Sequence, residues 1–208
     1  IDPCLFTIVD GDMVAVVSTH VDDYIVATND ENWYKQFFAA FSAKFKITDL
    51  GVLDHILGMG VDWAPDCTSV TISQAKTIKE LAEKYGLTDC KPAQTPMEKD
   101  LQLQPADEIT ESIPYRSLIG ALLWVARASR PDIMFSVIYL SRFSNCYSET
   151  HFKAAKRVLR YLVTTIDRKL TFNQTPSNQP LQVVMYCDSD WASDKNDRRS
   201  FSGSVVYI

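Results

Sequence analysis

Residues 19–28 read THVDDYIVAT, and two adjacent carboxylates, Asp22 and Asp23, break an otherwise apolar, β-rich stretch. The run MVAVVST (13–19) precedes them and YIVAT (24–28) follows. This pattern predicts two short antiparallel strands with Val21, Asp22 and Asp23 at the hairpin tip. Like charges side by side at a tip repel each other unless water or a cation screens them. A hard divalent ion binds carboxylate oxygens together with substrate phosphates, so the pair is a candidate metal anchor. Adjacent aspartates are also common in solvated turns, and spacing alone leaves both readings open.

Working outward, residues 5–9 form a further β-branched run, joined to 13–19 through Asp10-Gly11-Asp12, where Gly11 permits the positive φ of a tight turn. Asn29-Asp30 offers a helix N-cap, and Trp33, Phe37, Phe38, Phe41 and Phe45 follow at helical spacing. HILGMGVDW (55–63) and SVTIS (69–73) read as a hairpin around the turn APDCT. A helix over 74–85 is stopped by Gly86. From 87 to 114 the chain carries Pro92, Pro96, Pro105 and Pro114 with little periodicity, and reads mostly as linker. Helices are predicted over 115–128, 132–145 (with Pro131 suited to the first turn) and 149–166, the last capped by Ser148. A polar loop over 173–180 leads to a strand, LQVVMYC, running into Asp188, and FSGSVVYI would lie antiparallel to it.

Composition sets the limits. The 208 residues are 46% hydrophobic and suffice for one or two domains. No apolar run approaches the roughly 20 residues that cross a bilayer. Residues 1–12 lack the basic start of a signal peptide, and the last residues, VVYI, fall inside a predicted strand, so the sequence reads as a piece of something longer. The five cysteines are scattered with no CxxC pair, which argues against a zinc site or disulfide framework and for buried free thiols in a reducing compartment. Charge is uneven: residues 1–110 hold 8 Lys and Arg against 18 Asp and Glu, while 111–208 hold 13 against 8. A carboxylate-rich half joined to a basic half suits metal chemistry beside a phosphate-binding surface, and it suits chance equally.

HVDDYIVAT resembles the Tyr-x-Asp-Asp box of a polymerase palm. KFKITDLGVLDHILGMGVDW, ISQAKTIKELAEKYGL, CKPAQTPM, YRSLIGALLWVARASRPDI, KRVLRYLVTTIDRKL and YCDSDWASDKNDRRSFSG follow in the order and spacing of the reverse transcriptase of Copia-type LTR retrotransposons. The resemblance covers essentially the whole chain. It implies an α+β fold: a partial palm of antiparallel hairpins plus a helix (1–75), a helix and linker (76–113), a helical thumb (114–167) and the first strands of a ribonuclease H-like domain (168–208). It implies that Asp22 and Asp23 are two of three palm carboxylates holding two Mg²⁺ ions, the third lying on an earlier strand. Met59 and Gly60 resemble the turn that holds the primer terminus. Arg116, Gly120 and Trp124, spaced i, i+4, i+8, would share the helix face that tracks the template–primer duplex. The competing reading makes Trp124 core and Gly120 a helix-packing residue. Lys153, Lys156, Arg157 and Arg160 form the basic side of the last helix, either a solvated face or, through Lys153, Arg157 and Arg160, further nucleic-acid contacts. Asp188 would be the first metal-binding acid of ribonuclease H, with Asp190 reading as a turn residue.

Where the box ordinarily has Tyr, this chain has His20, which keeps an aromatic face without the phenol. The implied partners are an RNA or DNA template–primer and deoxynucleotides, with no organic cofactor and no membrane. The implied setting is intracellular, in a cytoplasmic virus-like particle with access to the nucleus. By themselves the 208 residues are expected not to polymerise. The rival reading is a decayed or domesticated nucleic-acid-binding remnant.

Overall fold

The computed structural model describes residues 2–176, 179–192, 194 and 196–208, and divides into two compact units, 1–53 and 54–208. Parts of the expected 173–180 loop and of the Arg-rich turn lie outside the described residues. The fold is mixed α and β, with antiparallel sheets and five α-helices among the described residues.

The first unit is a three-stranded meander carrying one helix. Strands β1 (Leu5–Asp10), β2 (Met13–His20) and β3 (Asp23–Thr28) pair in sequence order. Both connections are two-residue turns, closed by Asp10 opposite Met13 and by His20 opposite Asp23. In each, the first central residue alone has positive φ, the pattern of a type II′ turn: Gly11 at +59° and Val21 at +56°. Glycine is the ordinary occupant of that position. Valine, β-branched, is strained there.

Asp30 caps α1 (Glu31–Ser42), accepting from the backbone N–H of Asn32 and Trp33 at 2.8 and 3.1 Å. Asn29 ties the helix entry to β2, accepting from Val14 N at 2.8 Å and donating to Asp12 O at 2.8 Å. The helical spacing of aromatics becomes a ladder in which Trp33, Phe37 and Phe41 stack in turn, Phe45 tilts against Phe41, and Tyr24 meets Phe41 edge-on. Strand alternation puts Tyr24 and Val26 on the same sheet face as Ala15 and Val17, the two buried residues among those described in this unit. The helix therefore covers that face. His20, Asp23 and Ile25 belong to the other.

The second unit joins a four-stranded sheet to a helical bundle. Strands β4 (His55–Ile56), β5 (Met59–Trp63), β6 (Ser69–Ser73) and β7 (Leu170–Asn173) pair in that order. The β4–β5 turn is Leu57-Gly58, both at positive φ (50° and 77°), so Met59 and Gly60 open the strand β5 rather than forming the turn expected of them. Strand β7, grouped by sequence with the C-terminal segment, is hydrogen-bonded to β6, and Lys169 beside it pairs with Asp62. Helices α2 (Ala75–Lys84), α3 (Tyr115–Ala128), α4 (Met134–Ser141) and α5 (Glu149–Thr164) supply the core: Ile78, Leu118, Leu122, Val125, Val137, Leu140, Leu159 and Leu162 are all essentially inaccessible. The helix expected over 132–145 starts as a 3₁₀ turn, Pro131–Ile133, and its α-helical part ends at Ser141.

One buried charge organises the bundle. Arg130 grips Asp132 through Nε and Nη2 at 2.9 and 2.8 Å, donates to Thr165 O and Oγ1, and lies over the Tyr161 ring. Burial opposes ionisation of Asp132. The hydrogen bonds from Arg130 and Tyr161 outweigh it and hold the carboxyl below its usual range.

The proline-containing segment 87–114 is an ordered strap across the bundle, not a loose linker. Ala93, Leu103 and Ile113 are buried, Leu103 N donates to Tyr139 Oη at 2.9 Å, and Ala93 N donates to Thr164 Oγ1 at 3.0 Å. Its order comes from partners distant in sequence, which periodicity does not register. The remaining pair, β8 (Val184–Ser189) and β9 (Ser202–Tyr207), is a two-stranded sheet with every residue exposed. It is tied to α4 through Arg142, which pairs with Asp194 and Asp197 and sits over Phe201. All five cysteines are free as expected, but Cys4, Cys67 and Cys187 are exposed rather than buried.

Candidate nucleotidyl-transfer and nucleic-acid site

Asp22 and Asp23 occupy the β2–β3 tip. The strained Val21 turn fixes the backbone before them, and residues held in such regions are enriched at functional sites. Both carboxylates are exposed, and neither has an ion-pair or hydrogen-bond partner among the described residues. Asp23 stands opposite His20 in the hairpin register, on the sheet face that α1 leaves open. Two unpaired hard-oxygen donors fit part of a divalent-cation shell that substrate phosphates and water would complete. No group of three or more His, Cys, Asp or Glu that could hold a metal occurs among the described residues.

On α3, the sequence-predicted face is open. A Cβ added at Gly120 would meet nothing within 4 Å, so the glycine is not there for helix packing. Trp124 is 41% exposed, which excludes a core role. Its ring is held by one polar contact: with the Gln74 amide oxygen turned towards it, the indole Nε1–H donates at 2.9 Å, while the amide nitrogen faces Ser129 Oγ at 2.8 Å. Gln74 is itself buried at the start of α2. This glutamine, which the sequence marks only as part of a helix, fixes the orientation of the exposed ring.

The arginines are differently placed. Arg116 donates from Nε to Ser144 O at 2.6 Å and from Nη2 to Asn145 Oδ1 at 3.0 Å, closing the turn after α4. On α5, Arg157 pairs with Glu98 at 3.1 Å and Arg160 donates twice to Lys91 O. Neither the solvated face nor the free phosphate-binding row expected for α5 is realised at these two positions, because the strap uses them. Lys153 is exposed. Lys156 lies over the Phe152 ring.

Asp188 sits within β8 opposite Gly203, exposed, in an open concavity of about 480 Å³ with Ser189, Ser202 and Ser204. Asp190 accepts from Phe201 N at 3.0 Å, the turn role expected of it. A second concavity of about 550 Å³ lies between the strap, α4 and the loop before β9, lined in part by Asp132, Tyr139, Asp194 and Phe201. None of the sequence-predicted site residues borders it.

Residues 2–99 match the family model "Reverse transcriptase (RNA-dependent DNA polymerase)". Across its full length the chain is 31% identical to the retrovirus-related Pol polyprotein from transposon RE1 of Arabidopsis thaliana, and 29% to that from transposon RE2 of the same plant. Over 97% of its length it is 29% identical to the Pol polyprotein from transposon TNT 1-94 of Nicotiana tabacum. The chain spans 14% of each Arabidopsis relative and 16% of the tobacco one. No solved structure matches it. No described helix is long and apolar enough to cross a membrane.

Proposed function

Because the chain belongs to the reverse-transcriptase family of Copia-type transposon Pol polyproteins, we propose that it contributes palm, thumb and the opening of ribonuclease H to an RNA-directed DNA polymerase. The observation that carries this reading is the Asp22-Asp23 tip, two exposed and unpaired carboxylates on a strained turn inside the matched region. Divalent ions bound with their help would activate a primer 3′-hydroxyl and stabilise the leaving pyrophosphate. The chain's own part is to hold two of the oxygen ligands and to position the duplex. Asp188 contributes in the same way to the ribonuclease H site.

Duplex contact is assigned to the open α3 face. Gly120 lets a sugar–phosphate backbone approach, and Trp124, oriented by Gln74, offers a flat surface against sugars or bases. Arg116 acts mainly by shaping the end of α4. Lys153 remains an available phosphate contact on α5.

The test uses a Pol polypeptide that contains this chain together with the rest of its polymerase. Asp22→Asn and Asp23→Asn should each abolish primer extension in Mg²⁺ while leaving template–primer affinity within about twofold. Trp124→Ala should weaken that affinity by about 1–3 kcal/mol. Affinity should also fall steeply with salt. Extension at wild-type rate by either Asn variant would refute the assignment. The 208-residue chain alone is proposed not to extend primers, because it supplies only part of each metal site.

A further inference from the structure

The strap carries Thr95-Pro96, one of two Thr-Pro dipeptides in the sequence; the other is Thr175-Pro176. Thr95 is exposed, and its hydroxyl donates to Met97 O at 3.0 Å while accepting from Arg157 Nη2 at 3.3 Å. The other terminal nitrogen of Arg157 pairs with Glu98 at 3.1 Å. Its Nε is buried and has no hydrogen-bond partner among the described residues. The Glu98 side chain is 63% exposed, so water can take it back at little cost. A guanidinium is thus fixed against a threonine hydroxyl, with one unmet donor and one loosely held counter-ion.

We propose that Thr95 is a phosphoacceptor for a proline-directed protein kinase, with Arg157 as the receiver of the phosphate. The Thr95 Oγ1 attacks the γ-phosphorus of a nucleoside triphosphate and the β–γ phosphoanhydride bond breaks. The nucleoside diphosphate leaves, and the hydroxyl proton passes to the kinase's base. The product carries a charge of about −1.5 to −2 at pH 7 and three strong acceptors. Arg phosphate pairing is charge-assisted and bidentate. Glu98 is repelled into solvent, the hydroxyl's bond to Met97 O is lost, and the strap is fastened to α5 beside the existing Arg160–Lys91 tie. Thr175 is also exposed but has no Arg or Lys partner among the described residues, so it is a built-in reference.

The experiment treats the 208-residue chain with a proline-directed serine/threonine kinase and ATP, maps phosphate by mass spectrometry, and follows both phosphothreonines by ³¹P NMR against pH. The phosphate on Thr95 should ionise a second time at lower pH than that on Thr175. Tm should rise by roughly 2–4 °C in wild type and in Thr175→Ala, but not in Thr95→Ala. In Arg157→Lys, Thr95 should still be modified, with most of the difference in ionisation from Thr175 gone. The proposal is overturned if Thr95 stays unmodified while a free Thr-Pro peptide is fully phosphorylated. It is equally overturned if the two phosphates titrate alike in the wild-type chain, a readout that needs no variant to fold.

Discussion

The two units solve the problem of holding a site in opposite ways. In 54–208, four helices enclose a continuous core, and even an arginine is buried within it. In 2–53, Ala15 and Val17 are the only buried residues among those described, and stability comes from hairpin hydrogen bonds and a half-exposed aromatic ladder. The unit bearing the adjacent aspartates is the thin one. Burying an unpaired carboxylate is costly, and both aspartates stay exposed at the tip of this thin sheet. Gly120 and Trp124, assigned to the duplex, instead sit on a helix whose other side, Leu118, Leu122 and Val125, is fully buried. Display in the first unit thus comes with little burial, whereas in the second it shares a helix with a buried core face.

The largest change expected comes from removing Arg130, a buried charge of the dense unit. Arg130→Ala deletes a fully buried side chain, leaves Thr165 O with the Arg168 N–H as its remaining donor, and strips Asp132 of a bidentate partner. Breaking a buried pair costs about 3–5 kcal/mol. The lower end applies here, because Asp132 is partly open and keeps the Tyr161 hydroxyl. Hydrogen exchange should show the loss across α3, α4 and α5 and leave β1–β3 unchanged. An equal loss in both units would mean that they do not open independently.

Acid sharpens the same contrast. His151 is buried at the start of α5, where its Nδ1 accepts from Ser148 N–H at 3.1 Å, completing a capping box, and its Nε2 lacks a hydrogen-bond partner among the described residues. Burial pushes its pKa down, against a smaller opposing pull from the Gln104 carbonyl. A depressed folded-state pKa means that the unfolded chain binds the proton first. The stabilisation is full above the ordinary value of 6.5 and is lost as pH falls below it towards the folded pKa. For one proton the slope is at most about 1.4 kcal/mol per pH unit. The first unit's shifted carboxyls, Glu31 and Asp49, are lowered from 4.5 and 3.8, so they add little above pH 5. Denaturant titrations from pH 7 to pH 5 should show the helical unit weakening alone, and His151→Gln, which retains the capping geometry, should flatten the slope. A slope unchanged in that variant would assign the effect to another group.

What sequence could foretell follows the range of the forces involved. The meander, the Asp30 cap, α3 and α5 were legible because strand alternation, capping and helical spacing act within a few residues. The exposed α3 face was legible in part, as a Gly and a Trp on one stripe, but Gln74, 50 residues upstream, was not. The pairing of β7 with β6 and the burial of Leu103 beneath Tyr139 depend on partners brought together only by the closed fold. Arg157 and Arg160 misled for the same reason: a basic helix face looks free until the strap that covers it is placed. The β4–β5 turn was displaced by two residues because Leu57, not an Asn or Asp, occupies its first positive-φ position.

The smallest expected effect tests the thin unit at its own tip. The same type of turn occurs twice in this meander, once with Gly11 and once with Val21, at nearly equal φ. The left-handed conformation costs a non-glycine residue roughly 1–2 kcal/mol. Val21 is 88% exposed, so its side chain returns little burial in compensation. Glycine relieves the strain but adds about 0.5–1 kcal/mol of unfolded-state entropy. Val21→Gly should therefore stabilise the meander by about 0.5–1 kcal/mol, seen as slower exchange of the β2 and β3 amides. If the strain holds Asp22 and Asp23 in place for cations, primer extension by the intact polymerase should fall even as the hairpin becomes more stable. A variant that gains stability and keeps full activity would leave Val21 a neutral occupant of a glycine position, and the orientation of the two acids would then have to come from the strands alone.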